Sequence, residues 1–252
     1  DNHVGASTNQ KDNAFTGRVG LTYLTEFGLA PYVSYAESFT PNTGTDRNGS
    51  AFDPSMAHQW EVGVKYQPTD AILMTVAAYD LTKTNVLTNE IVGGVNTGFT
   101  VASGEQQSKG IEAEIKARLD QNWDLIASYT YTHAEITKSN RGDEGNRPAN
   151  VPKHMASTWL NYTFHDTALN GLSLGGGARY TGALYGDNGN TYHIDNYTLF
   201  DAGVSYPINK NVTVSVNAQN LLDTEYVATC DDSYECYPGM RRTLLTSVKY
   251  TW

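Results

Sequence analysis

The chain has 252 residues, room for one or two domains, with 39% hydrophobic residues and a formal charge of −10; that acidity argues against nucleic-acid binding, which needs a basic face. No stretch approaches the roughly 18 apolar residues of a spanning helix, and mean hydropathy is −0.46. Low hydropathy alone does not make a chain soluble, because strands of a membrane barrel are apolar only at alternate positions.

Composition favours an all-β chain. The 17 Tyr, with frequent Thr and Val, suit pleated structure, and the 23 Gly, with frequent Asn, suit turns. Residues 1–13 are polar and hold no signal-peptide core. Residues 15–24 then set Phe15, Val19, Leu21 and Tyr23 against Thr16, Arg18 and Thr22. Residues 58–67 set Trp60, Val62, Val64 and Tyr66 against Gln59, Glu61, Lys65 and Gln67. In 110–119, GIEAEIKARL, the charges Glu112, Glu114, Lys116 and Arg118 take every second position. Ile111, Ile115 and Leu119 also stand four apart, a helix stripe. The segments that follow decide for a strand, because they repeat the alternation with β-branched and aromatic residues. Trp123, Leu125, Ala127, Tyr129 and Tyr131 alternate with Asp124, Ser128, Thr130 and Thr132; Leu172, Leu174, Ala178 and Tyr180 with Ser173, Arg179 and Thr181. Val212, Val214, Val216 and Ala218 alternate with Thr213, Ser215, Asn217 and Gln219; Thr246, Val248, Tyr250 and Trp252 with Ser247, Lys249 and Thr251.

Eleven strands are expected, near 14–24, 29–38, 57–67, 71–86, 108–118, 123–137, 154–164, 171–181, 196–206, 211–228 and 241–252. Their connections alternate between short turns (25–28, 68–70, 119–122, 165–170, 207–211) and long polar loops (39–56, 87–107, 138–153, 182–195, 229–240). One rim of tight turns and one of long loops is the asymmetry of an up-and-down transmembrane β-barrel, with the long loops outside the cell. An immunoglobulin-like sandwich would mix loop lengths at both ends. Aromatics near strand ends (Tyr23, Tyr35, Trp60, Tyr66, Tyr79, Trp123, Tyr162, Phe164, Tyr206, Tyr250 and Trp252) suit two headgroup-level girdles. Energetics set the register: Lys or Arg facing lipid at the midplane costs about 2–4 kcal/mol, so the charged face of 110–119 points into the bore.

Chemistry-bearing motifs are sparse. The six histidines lack metal-ligand spacing, and His133 with Glu135 gives H-x-E without a partner cysteine motif. No G-x-S-x-G elbow or P-loop occurs, so no catalytic residue and no enzyme is expected. Gly175, Gly176 and Gly177 lie within a strand and read as a bend or a close-packing surface. Cys230 and Cys236, in CDDSYEC, are the only cysteines. From the residues alone they are a disulfide, two free thiols, or a metal pair with Asp231, Asp232 and Glu235, the last weakened by the lack of a clustered histidine.

GNRPANVPKH (145–154), SKGIEAEIKAR (108–118), EVGVKYQPTDAILMTVAAYDLTKTNVLT (61–88) and NLLDTEYVATC (220–230) resemble the C-terminal half of TonB-dependent outer-membrane siderophore receptors of the ferrichrome, or hydroxamate, type. The terminal Trp252 is similar to the ending of many outer-membrane proteins, where it serves barrel assembly. The resemblance implies a multi-pass bacterial outer-membrane barrel of 22 strands around an N-terminal plug, of which residues 1–252 would be the second half, without plug or first strands. It implies uptake of a ferric siderophore as cargo, no resident cofactor, a monomeric barrel, and TonB (with ExbB and ExbD) acting through the missing plug in a lipid-embedded receptor. The inward charges, and the triple glycine, would then contact plug or water. Ferrichrome-type members carry a disulfide in the last loop, which favours a Cys230–Cys236 bridge. Ligand contacts would come from Tyr234 and Tyr237 in that loop, Tyr185 and Tyr192 in the loop before it, and Phe99 in 87–107. Those members tend to have an aromatic just after the first cysteine, where Asp231 stands here. Other expectations are uptake of haem, cobalamin or a sugar, a passive porin, or a barrel enzyme.

Overall fold

Alternating apolar and polar residues bury one face of a strand in one medium and the other face in a second, and the chain does this throughout. The computed structural model describes residues 13–230 and 235–252. Its strands are β1 (Arg18–Thr22), β2 (Leu29–Thr40), β3 (Ser55–Thr69), β4 (Ile72–Val92), β5 (Val95–Arg118), β6 (Trp123–Lys138), β7 (His154–Thr163), β8 (Ser173–Thr181), β9 (Leu184–Tyr185), β10 (His193–Ile194), β11 (Tyr197–Pro207), β12 (Val212–Gln219), β13 (Val227–Cys230), β14 (Cys236–Pro238) and β15 (Thr243–Tyr250). Eleven form one antiparallel sheet in the order β1-β2-β3-β4-β5-β6-β7-β8-β11-β12-β15, with β1 and β15 as its edges. β9–β10 and β13–β14 are separate two-stranded ribbons within the long loops.

The register sorts side chains as the sequence pattern requires. Trp60, Val62, Val64 and Tyr66 pair with Asp80, Ala78, Val76 and Met74. Those pair in turn with Lys109, Ile111, Ala113 and Ile115, then His133, Tyr131, Tyr129 and Ala127. This face carries large exposed apolar groups: Val62 is 59% exposed, Ile111 49% and Val248 67%. No second layer covers them among the described residues. The small core cluster, Leu184, Ile194 and Cys230 with Val227 and Cys236 beside it, lies among the loops instead.

The apolar band has visible limits. Along β3 it runs from Trp60, tilted against Tyr35 with centroids 4.9 Å apart, to Tyr66. Six residues at about 3.4 Å each give roughly 20 Å along the strand, the scale of a barrel's hydrocarbon belt. Beyond Trp60 the same face turns polar. Asp80 meets Lys109 at 3.5 Å and accepts a hydrogen bond from Gln107 at 2.8 Å, and His133 lies 3.8 Å from Glu135. At the short-turn end the rings of Trp123, Tyr162 and Phe164 meet edge to face in sequence, with centroids 4.7 and 4.8 Å apart.

The opposite face pairs its charges. Lys116 meets Glu114 at 2.7 Å and Arg118 meets Asp124 at 3.7 Å. Arg179 donates two hydrogen bonds to Asp201, at 2.6 and 2.9 Å. Tyr79 belongs to this face rather than to a girdle: it pairs with Gly110 and its hydroxyl meets Thr132 Oγ1 at 3.0 Å. A one-residue offset explains the difference: Trp60 is opposite Asp80, and Tyr79 beside it is opposite the inward-facing Glu61.

Two other expectations are corrected. The region 87–107, read as loop, is mostly strand: β4 and β5 continue to Val92 and Val95, joined by Gly93 and Gly94 with φ of 60° and 82°. Two positive-φ residues make the hairpin turn whose twist matches its strands. The strand expected over 211–228 stops at Gln219, because Asn220 takes φ 51° and turns the chain away. In the triple-glycine run, Gly175 and Gly177 pack beside Trp159 of the neighbouring strand, whose indole a Cβ at either would strike.

Candidate functional site: a three-loop rim

Three long connections gather at the end opposite the short turns: residues 139–153, 182–196 and 220–242. The GNRPAN stretch lies along the second of them. Asn146 Nδ2 donates to Asn188 O (3.0 Å), Arg147 N to Asn190 Oδ1 (3.0 Å), Asn190 Nδ2 to Arg147 O (2.7 Å) and Ala149 N to Asn188 Oδ1 (2.8 Å). Loop 182–196 is itself closed by the β9–β10 ribbon and by Asp187, which accepts from Tyr192 N at 2.8 Å and from Thr191 Oγ1 at 2.9 Å. Partial burial would raise the Asp187 pKa, but these donors outweigh it and hold the carboxyl below its ordinary value.

The third loop is held in two places. Cys230 and Cys236 form a disulfide across the β13–β14 ribbon, with Cα atoms 4.0 Å apart. Cys230 is 2% exposed against Leu184 and Ile194, so the bridge lies beneath the rim surface. Nearer the sheet, Asn220 is 2% exposed and fully engaged. Its Nδ2 donates to Thr224 O (2.8 Å) and Met240 O (3.1 Å), its Oδ1 accepts from Thr224 N (2.8 Å), and its backbone N donates to Asp201 Oδ1 (2.9 Å). Arg241 then forks onto Asp223 (2.8 and 3.0 Å) and also bonds Glu225.

The expected ligand residues fall unevenly on this frame. Tyr185 and Tyr192 are diagonal neighbours at the closing end of the same ribbon, where Gly186 N donates to Tyr192 O at 2.9 Å. Tyr192 is 37% exposed; Tyr185 packs against Arg147 (5.4 Å) and His193 (5.8 Å), so its ring also serves loop packing. Tyr237 directly follows the disulfide, is 42% exposed, and donates to Glu235 at 2.8 Å. Tyr234 lies outside the described residues. Phe99 belongs to a different pair of loops: it lies under Arg47 at 5.7 Å, and Arg47 meets Glu90 at 3.3 Å. The residues that sequence reasoning missed are the asparagines. Asn150, Asn190 and Asn220 all have positive φ, and for Asn150 and Asn220 a place inside GNRPANVPKH and NLLDTEYVATC was the available signal. Among the described residues no group of three or more His, Cys, Asp and Glu could hold a metal ion.

The sheet and its rim have known counterparts. Residues 1–221 match the family described as TonB dependent receptor-like, beta-barrel. The chain is 44% identical to the ferrichrome outer membrane transporter/phage receptor of Escherichia coli K12, over 99% of this chain and 34% of that one. It is 36% identical to the ferrioxamine B receptor of Salmonella typhimurium, over 99% and 36%. Among solved structures it overlays the siderophore receptor PiuA of Acinetobacter baumannii with a TM-score of 0.77 at 27% identity, covering 93% of this chain and 35% of that one. The chain thus spans about a third of the length of the relatives it matches. The two media that its faces meet are the hydrocarbon of the outer membrane and the barrel interior. With its antiparallel eleven-stranded sheet, its short-turn and long-loop rims and this match, the chain belongs to the TonB-dependent receptor β-barrel family.

Proposed function

We propose that the chain is the C-terminal half of the barrel wall, with the outer loops it carries, of a receptor that takes up ferric siderophores in a TonB-dependent way, of the hydroxamate type. The observation that carries this is 44% identity to a ferrichrome transporter across 99% of the chain, loops included. The exposed rings of Tyr192 and Tyr237, with Phe99 and Tyr234, would pack a bulky ferric chelate, and the polar loop groups would orient it. The metal arrives as cargo inside the chelate, so no resident cofactor is needed. A plug, contributed by sequence outside these residues, would fill the bore against the charged wall of Glu112, Glu114, Lys116 and Arg179. TonB, energised through ExbB and ExbD, would pull on that plug to open a path. The protein does this as a monomeric barrel by binding and gating, without covalent chemistry.

The test uses the full-length protein. Binding to a panel of ferric hydroxamates, with haem, cobalamin and an oligosaccharide alongside, is measured together with iron-limited growth of a deletion strain. Tight binding of a hydroxamate and a growth defect on it are expected. No binding and no growth defect on any ferric chelate would overturn the reading.

A further inference from the structure

We propose that Asn150 is a positioning residue for the binding rim: its amide clamps the last loop to the two loops before it, so that their tyrosines meet a ligand as one unit. The ligand's identity rests on the siderophore reading above; the clamp does not. Asn150 Nδ2 donates to Cys230 O at 2.6 Å, and its Oδ1 accepts from Cys230 N at 2.9 Å, across 80 residues of sequence. Its own backbone N donates to Tyr185 O at 2.8 Å. One residue thereby connects the two loops that carry the candidate tyrosines. On one side the links run through Tyr185 and Gly186 to Tyr192; on the other through the Cys230–Cys236 bridge to Tyr237.

The chemistry selects asparagine. Cys230 is 2% exposed, so its backbone donor and acceptor need partners inside the protein. A primary amide supplies one donor and one acceptor side by side and imitates a neighbouring strand. Aspartate keeps the acceptor and loses the donor. The backbone at Asn150 has φ 61°, a left-handed conformation that asparagine tolerates better than most residues. The loops also approach too closely for a looser joint: a Cβ at Gly186 would stand 3.0 Å from Cys230 Sγ.

Asn150→Gly is the informative variant, since glycine accepts the same φ while losing the side chain. In the full-length receptor it is expected to weaken ferric hydroxamate binding about tenfold, the scale of losing one or two hydrogen bonds to buried groups. Amide exchange across β13 and β14 should rise, with the melting of the barrel unchanged. Asn150→Asp, which keeps the shape, should fall between wild type and glycine, and it stands in if the glycine variant does not assemble. Combined with Cys230→Ser/Cys236→Ser, the glycine change should add less than it does alone, because both act through the same ribbon. Wild-type affinity in Asn150→Gly, unchanged exchange, or simple additivity with the cysteine pair would each overturn the proposal. If the wild type binds none of the chelates, the siderophore reading falls, and the exchange of β13 and β14 alone decides the clamp.

Discussion

Single polar residues govern the rim. Asp223 illustrates how: the Arg241 guanidinium beside it, with a backbone donor from Arg242 at 2.8 Å, holds its carboxyl well below the usual carboxylate range. Asp223 in turn raises the Arg241 pKa. A folded-state value below the unfolded one means that the clasp contributes fully above the ordinary aspartate pKa of about 4. Its contribution is lost as pH falls from there through the lower folded value. Protection of the amides of residues 220–226 relative to their intrinsic exchange rates, followed from pH 7 to pH 2, should therefore fall only in the acid limb, and Asp223→Asn should lower it already at neutral pH. Protection that already falls between pH 7 and 5 would assign the loop's acid response to other groups. None of this was visible in NLLDTEYVATC, because Arg241 and Asp223 stand 18 residues apart and only the turn at Asn220 brings them together.

At the scale of elements, the sheet was legible and its side-chain contacts were not. Alternation in Trp60–Tyr66, Ile111–Leu119 and Val212–Ala218 located strands, since period 2 needs no knowledge of the partner strand. The VGGV turn was equally readable in principle, yet the polar residues around it suggested a loop. β4 runs on for 12 residues past Asp80, so the hairpin projects about 40 Å beyond the apolar band, where strands no longer need an oily face. The triple glycine could not be interpreted from sequence, because its partner is Trp159 on β7, fixed by the pairing of Trp159 with Gly177. This makes a specific prediction. Gly175→Ala should destabilise the barrel by about 1–3 kcal/mol, the usual cost of overpacking, and Trp159→Ala should relieve most of that increment. Gly177→Ala should not be relieved in the same way, since its Cβ would also strike the Thr158 carbonyl. A double-mutant cycle in unfolding free energy checks both, and equal relief at the two glycines would contradict the packing described.

For the whole molecule the decisive quantity is the difference between two solvents. Val76 lies on the outward face within the band, paired with Val64 and Ala113, whereas Thr75 faces inward opposite Glu114. Val76→Lys should cost the full-length receptor about 2–4 kcal/mol in lipid vesicles, as expected of a cation near the midplane. Thr75→Lys stands between Glu114 on one side and Lys65 on the other, in a polar bore, and should cost well under half of that, because exposed charge pairs of either sign are weak. Equal costs, read from reversible denaturant unfolding in vesicles, would remove the two-media account and the outer-membrane assignment with it.

The sequence by itself determined the eleven strands of the main sheet and the two-faced alternation along most of them. These follow from local periodicity and turn chemistry, which act over a few residues. Only the tertiary structure decided what those faces touch: that Trp159 covers the glycines, that Tyr79 turns inward, and that Asn150, Asn190 and Asn220 knit the loops. Such contacts join residues tens of positions apart through sheet register and left-handed turns, and a hydrogen-bonding side chain carries no mark of its partner until the chain has brought the two within about 3 Å.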